Sequence, residues 1–150
     1  MAMPLTGLTV LDFGQIFQGS YATLLLAKAG ANVIKIEPPG GEPLRRRTPP
    51  GAATTLAFAM LNANKRAITL NLKAPRGREL LFDMVRRADI VLENFGPGTM
   101  DAMGAGWSVL QPLNPRLIYA TGTGYGISGP DHKNLAMDLD RKSTRLNSSH

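Results

Sequence analysis

The chain of 150 residues contains no cysteine, which removes disulfides, thiolate metal sites and thiol nucleophiles from consideration. Its two histidines have no carboxylate cluster beside them, so a metal centre lacks a donor set. Any catalysis must use carboxylates, hydroxyls or amides. No apolar run approaches the roughly 18 to 20 residues that span a bilayer, and the opening MAMPLTG has neither the basic nor the apolar region of a secretion signal. A soluble, cytoplasmic protein with no membrane partner is expected. Zinc-finger, aromatic ribonucleoprotein and basic-zipper patterns are missing too, so the net charge of +6 points away from nucleic acid and toward a small anionic ligand.

What is present reads as α/β. The length and an apolar fraction of 43% suit one compact domain or part of a larger one. The chain is organised around residues 8–37, LTVLDFGQIFQGSYATLLLAKAGANVIKIE, which predict a strand, a turn at 14–19, a helix from Ser20 as N-cap to a left-handed stop at Gly30, and a second strand at 32–37. Residues 38–54, rich in Pro, Gly and Arg, show no periodicity and are expected to be loop. A helical stretch at 55–62, a strand at 67–72, a helix at 75–87, a strand at 88–93, a Gly/Pro-punctuated loop, a short helix around Trp107 and a strand at 117–124 follow. In the helix at 75–87, Leu80, Leu81, Met84 and Val85 share one face. Strands alternating with helices argue a mainly parallel sheet with flanking helices.

The turn at 14–19 is not a G-x-G-x-x-G fingerprint, and the chain has no P-loop, so no nucleotide motif is met there. The turn needs its glycines for structure alone, or it sets Gln15, Phe17 and Gln18 toward a ligand with its backbone N–H groups. Arg45, Arg46 and Arg47, and likewise Lys65 and Arg66, read more readily as solvated charges than as phosphate contacts. Asn94 lies just past a strand end, the edge where ligands sit in doubly wound sheets. His132 reads as an exposed loop residue with no triad partner, and Asp138 as a cap or surface carboxylate. Residues 140–150, RKSTRLNSSH preceded by Asp140, have almost no apolar content and are expected to be disordered, with the wording of a non-native, adapter-derived tail.

Five segments together, VLDFGQIFQGSYATLLLAKAGANVIKIEPPGG, NKRAITLNLK, ADIVLENFGPGTMDAMG, NPRLIYATGTGYGISGP and LAMDL, resemble the N-terminal part of the family III CoA-transferases, the CaiB/BaiF and formyl-CoA transferase group. The likeness covers residues 4–139 in order. It implies a Rossmann-like large domain, of which 1–139 would be the N-terminal part, and an interlocked homodimer for the full-length protein. It implies coenzyme A or acyl-CoA as substrate with no permanently bound cofactor, and a carboxylic acid as the second small-molecule partner. The implied chemistry is attack of an aspartate on an acyl-CoA thioester through anhydride and aspartyl-CoA intermediates, a reaction open to a weak nucleophile because the thioester is activated.

The resemblance places that aspartate beyond residue 139, so no catalytic nucleophile is expected here, and Gln15 is at most auxiliary. Coenzyme A binding is carried over to Phe17 and Gln18, to a strand of Leu70, Asn71, Leu72 and Lys73, and to Asn94, Phe95 and Gly96. Arg45 is a further phosphate contact on charge grounds. The sequence departs from the pattern at Pro38, Ala102 and Thr123, where relatives carry basic residues, which argues against oxalate and formyl-CoA as substrates. An acyl-CoA racemase of the same superfamily would place a histidine where Met137 stands, and a thioether is no general base. A non-catalytic nucleotide-binding fragment is the remaining alternative.

Overall fold

The computed structural model describes residues 2–136. Strands β1 Thr9–Asp12, β2 Asn32–Glu37, β3 Arg66–Thr69, β4 Ile90–Glu93 and β5 Ile118–Thr121 form one sheet in the order β3-β2-β1-β4-β5. Every pairing is parallel, so the sheet expected to be mainly parallel is wholly so. Helices α1 Gln18–Lys28, α2 Pro43–Arg46, α3 Leu56–Leu61, α4 Pro75–Val85, α5 Thr99–Ala102 and α6 Trp107–Leu110 lie between the strands. The α/β, Rossmann-like class expected from the sequence is the one observed.

Burial on both faces explains the near-continuous apolar strands. On one face Ala27 and Ala31 pack with Val10 and Val33. On the other, Leu81 and Val85 of α4 pack with Leu11, Ile36 and Val91. Helical periodicity places Gly77, Leu81 and Val85 on the buried line of α4, whereas Leu80, assigned to that face from sequence, is 40% exposed.

Several expected boundaries move, each for a local reason. Helix α1 starts at Gln18 after Phe17, and Ser20 is no cap; it is fully buried within the helix, its hydroxyl donating to Gly14 O at 3.3 Å. Gly30 takes the expected left-handed stop with φ of 102°. The 38–54 loop contains a helical turn opened by Pro43, a residue whose fixed φ suits the first helical position. Strand β3 ends at Thr69, so Leu70, Asn71, Leu72 and Lys73 are not a strand. The Asn71 side chain accepts the Lys73 N–H at 3.1 Å and bends the chain into a turn. Met137, Asp138 and residues 140–150 lie outside the described residues.

Candidate coenzyme site at the sheet edge

From β1 the chain winds through α1 to β2 on one side, and from β4 it winds to β5 on the other. The connections diverge between β1 and β4, and a crevice opens at the C-terminal ends of those strands, the place where doubly wound sheets bind ligands. Residues 14–17 leave β1 there, and Asn94, Phe95 and Gly96 leave β4.

The turn after β1 is held by side chains from several elements, Asp12, Lys35 and Glu42 among them buried. Asp12 Oδ1 accepts the Gly14 N–H at 2.7 Å, and Lys35 Nζ donates to Gly14 O at 2.7 Å. Asn94 grips both polar groups of Gln15: Oδ1 accepts its N–H at 2.7 Å and Nδ2 donates to its carbonyl at 3.0 Å. Glu42 Oε2 accepts the Ile16 N–H at 3.2 Å. Ile16 has φ of 57°, a left-handed conformation that costs a β-branched residue about 1–3 kcal/mol and persists only where its surroundings enforce it. Gly14 and Gly19 let the turn fold back on α1, since a Cβ on Gly14 would lie 2.6 Å from Gly19 C.

Beneath the turn lies a buried ion pair that sequence reasoning misassigned. Lys65, read as a solvated charge, has a side chain 1% exposed, and Nζ sits 2.9 Å from Asp12 Oδ2, itself fully buried. Ser20 O, Thr23 Oγ1 and Asn62 Oδ1 lie within 2.9 Å of the same nitrogen. Burial pulls the Lys65 ammonium below the ordinary lysine range, and the Asp12 carboxylate opposes that fall. Thr23 donates to Asp12 Oδ2 at 2.8 Å, so the carboxylate is fully engaged and is no free nucleophile.

Two hollows run along the edge and meet at Gln15 and Phe95. The first, of about 410 Å³, takes in Phe17, Gln18, Asn94 and Gly96, with Arg47 at its border. The second, of about 310 Å³, is walled by apolar Phe13, Ile36 and Met103 and by the turn of Leu70, Asn71, Leu72 and Lys73. That turn is braced by α4: a Cβ on Gly77 would lie 2.0 Å from Asn71 O, and Arg78 Nη1 donates to Leu72 O at 3.1 Å. Ten of the eleven residues singled out from sequence therefore line these two adjoining hollows, taken together as the groove, namely Gln15, Phe17, Gln18, Leu70, Asn71, Leu72, Lys73, Asn94, Phe95 and Gly96. Arg45 is the exception, bordering a separate shallow hollow. It makes a two-pronged contact with Glu37, at 2.7 and 2.8 Å, and lies 3.9 Å over the Phe58 ring.

A third hollow, of about 500 Å³, adjoins the groove at Gly96 and Thr123 and carries Glu93, Asp101, Tyr119 and His132. Burial pushes the Tyr119 hydroxyl above the ordinary tyrosine range, with Glu93 and Asp101 adding to the shift. Two carboxylates make this hollow unfavourable for a polyanion. A G-x-G-x-x-G string does occur at Gly124 to Gly129, but it follows β5 and opens no helix among the described residues, so it lacks the context of the dinucleotide fingerprint. Among those residues no group of His, Asp and Glu could hold a metal ion, and no helix is long and apolar enough to cross a membrane.

An all-parallel 3-2-1-4-5 sheet with hollows at its switch point defines a doubly wound α/β domain. The chain belongs to CoA-transferase family III, whose family description it matches over residues 5–143. It is 46% identical over 133 residues to the formyl-CoA:oxalate CoA-transferase of Streptomyces avermitilis, covering 87% of this chain and 32% of that protein. It is 42% identical over 130 residues to the succinyl-CoA–L-malate CoA-transferase beta subunit of Chloroflexus aurantiacus, covering 85% and 32%. Among solved structures, Rv3272 of Mycobacterium tuberculosis superposes with a TM-score of 0.89 at 38% identity, covering 99% of this chain and 42% of that one. A CaiB/BaiF family protein of Brucella suis gives 0.90 at 35%, covering 96% and 39%. The chain thus spans about a third of the length of the curated relatives it matches.

Proposed function

We propose that these residues form the coenzyme A-binding part of a CoA-transferase, which moves CoA between an acyl-CoA and a second carboxylic acid through an aspartyl intermediate. The observation that carries this reading is the pair of hollows that share Gln15 and Phe95 on their walls, one walled by Phe13, Ile36 and Met103 and the other carrying Gln18 and Asn94 among apolar neighbours. The apolar chamber, with Phe13, Ile36 and Met103, suits an aromatic base, and exposed Lys73 at its rim supplies positive charge for phosphates. The chamber beside Phe17, Gln18 and Asn94 suits the thiol-bearing arm, and Gln15 at the junction offers an amide to a thioester oxygen. Arg45 is committed to Glu37 and serves the loop rather than a phosphate.

The attacking aspartate is not part of this groove; the reading assigns it to sequence beyond residue 139. Asp12 is buried and fully paired, and Glu93 Oε2 accepts the Phe95 N–H at 2.8 Å. Relatives named for oxalate and for malate match at 46% and 42%, and their shared chemistry is a carboxylate acceptor. The whole protein would act as an interlocked homodimer in the cytoplasm. Calorimetric titration of the chain with CoA, NAD and ATP is the test. Saturable binding of CoA in preference to the other two is expected; equal or stronger binding of NAD would replace this reading with that of a dinucleotide-binding module.

A further inference from the structure

We infer that Glu42 is a positioning residue of the groove: its carboxylate keeps the Ile16 peptide in the left-handed conformation that sets Gln15 and Phe17 along the groove wall. This rests on the groove being the coenzyme site. Glu42 is 1% exposed, one carboxylate oxygen accepts the Ile16 N–H at 3.2 Å, and the other has no hydrogen-bond partner among the described residues. A buried carboxylate with half its capacity unused costs stability, so its retention calls for a local purpose. The strained residue it contacts supplies one.

The surroundings narrow that purpose further. Asp12 and Lys35 hold Gly14, and Asn94 holds the Gln15 N–H and carbonyl; Glu42 takes the Ile16 N–H, the other end of the peptide whose carbonyl Asn94 grips. Glu42 is itself fixed through its main chain. Its N–H donates to Glu37 Oε2 at 3.2 Å, and its carbonyl accepts the Arg45 N–H at 3.0 Å. The Glu37–Arg45 fork, at 2.7 and 2.8 Å, locks that loop turn. Arg45 therefore acts on the groove through Glu42. With the Glu42 carboxylate gone, the Ile16 N–H loses its acceptor, and among the described residues the left-handed residue is held only by Asn94 on the Gln15 carbonyl and by packing of its side chain against Leu44, Phe58 and Leu61. Since Asn94 pins Gln15, the movement falls on Phe17 and the start of α1.

The test compares the full chain with Glu42→Gln, Glu42→Ala and the double variant Glu42→Ala with Ile16→Gly, by calorimetric titration with CoA and by the amide proton resonance of residue 16. Glu42→Ala is expected to weaken CoA about tenfold, while Glu42→Gln, whose amide oxygen still accepts, stays within about threefold. Adding Ile16→Gly to Glu42→Ala is expected to restore most of the affinity, because glycine takes positive φ without support. A merely structural loss would not be rescued this way. Unchanged CoA affinity in Glu42→Ala, or a double variant no better than Glu42→Ala, overturns the assignment. Should Glu42→Ala fail to fold, recovery of fold and affinity in the double variant supports it, and failure to recover overturns it. If the unaltered chain ignores CoA, the proposed function falls. The residue 16 amide then decides alone: a shift in Glu42→Ala that Glu42→Gln lacks supports the positioning role, and no shift overturns it.

Discussion

The two faces of the sheet treat its C-terminal edge differently. On the α4 side the core is apolar through Leu11, Phe13, Ile36 and Val91, all buried, and one buried carboxylate, Glu93, follows Val91 at the end of β4. On the α1 side the same strands change character within one step. Val10 pairs with Val33, but the next pair on that face is Asp12 with Lys35, both buried, and Glu37 follows. Apolar packing holds an element in place without choosing among nearby backbone conformations, whereas buried hydrogen-bonding groups fix individual peptides. Stability and geometry are thus divided: the α4 face supplies cohesion, and the charged half of the α1 face sets the turn that borders the groove.

Removing one group from each face separates the two roles. Lys65→Ala leaves the Asp12 carboxylate buried without its countercharge and is expected to cost about 3–5 kcal/mol, with weakened CoA binding in the chains that still fold. Leu81→Ala, at a fully buried position, is expected to cost about 2–5 kcal/mol with CoA affinity of the folded chain unchanged. Urea denaturation alongside calorimetry separates the two outcomes. A Lys65→Ala chain that binds CoA as before would contradict the division of labour.

A smaller effect sharpens the same picture through pH. Burial pushes the Glu37 carboxyl up, but the Arg45 guanidinium and the Glu42 N–H outweigh it, and the net shift is downward from 4.5. The folded form therefore holds its proton less tightly than the unfolded form. The resulting stability is present above about pH 4.5 and is lost as pH falls through the depressed value. Because Arg45 is 41% exposed, solvent screens much of the interaction and the effect is modest. Glu37→Gln is expected to flatten that acid limb in a pH series of thermal melts; an unchanged limb would place the acid sensitivity elsewhere.

Much of this arrangement was legible in the sequence because local signals coincided. Residues 8–37 carry an apolar strand, a glycine-bounded turn, a helix and a second strand, and Asn94 stands at a later strand end; the strand order that brings the two together is visible only in the structure. Gln15, Phe17, Gln18 and Asn94 follow from their places in a strand-to-helix turn and at a strand end, whereas Leu70 to Lys73, Phe95 and Gly96 follow from the family resemblance. The buried charges stayed hidden because a paired lysine and a solvated one look alike in sequence, and Asp12 lies 53 positions before Lys65. Glu42 carries no sequence signal for the same reason: its partner, Ile16, is 26 residues away and is engaged through its backbone. The alternating leucines of Leu70 to Lys73 are compatible with a strand, yet the Asn71 side chain turns the chain. A period-2 pattern over four residues does not outweigh an Asx turn.

The central claim is that coenzyme A lies along the switch-point groove, and amide resonances followed during a CoA titration test it residue by residue. The account predicts that the shifts concentrate at Gln15, Phe17 and Gln18, at Asn71, Leu72 and Lys73, and at Asn94, Phe95 and Gly96. Shifts confined to Asp101, Trp107 and Tyr119 around the acidic hollow, with the groove residues unmoved, would contradict it.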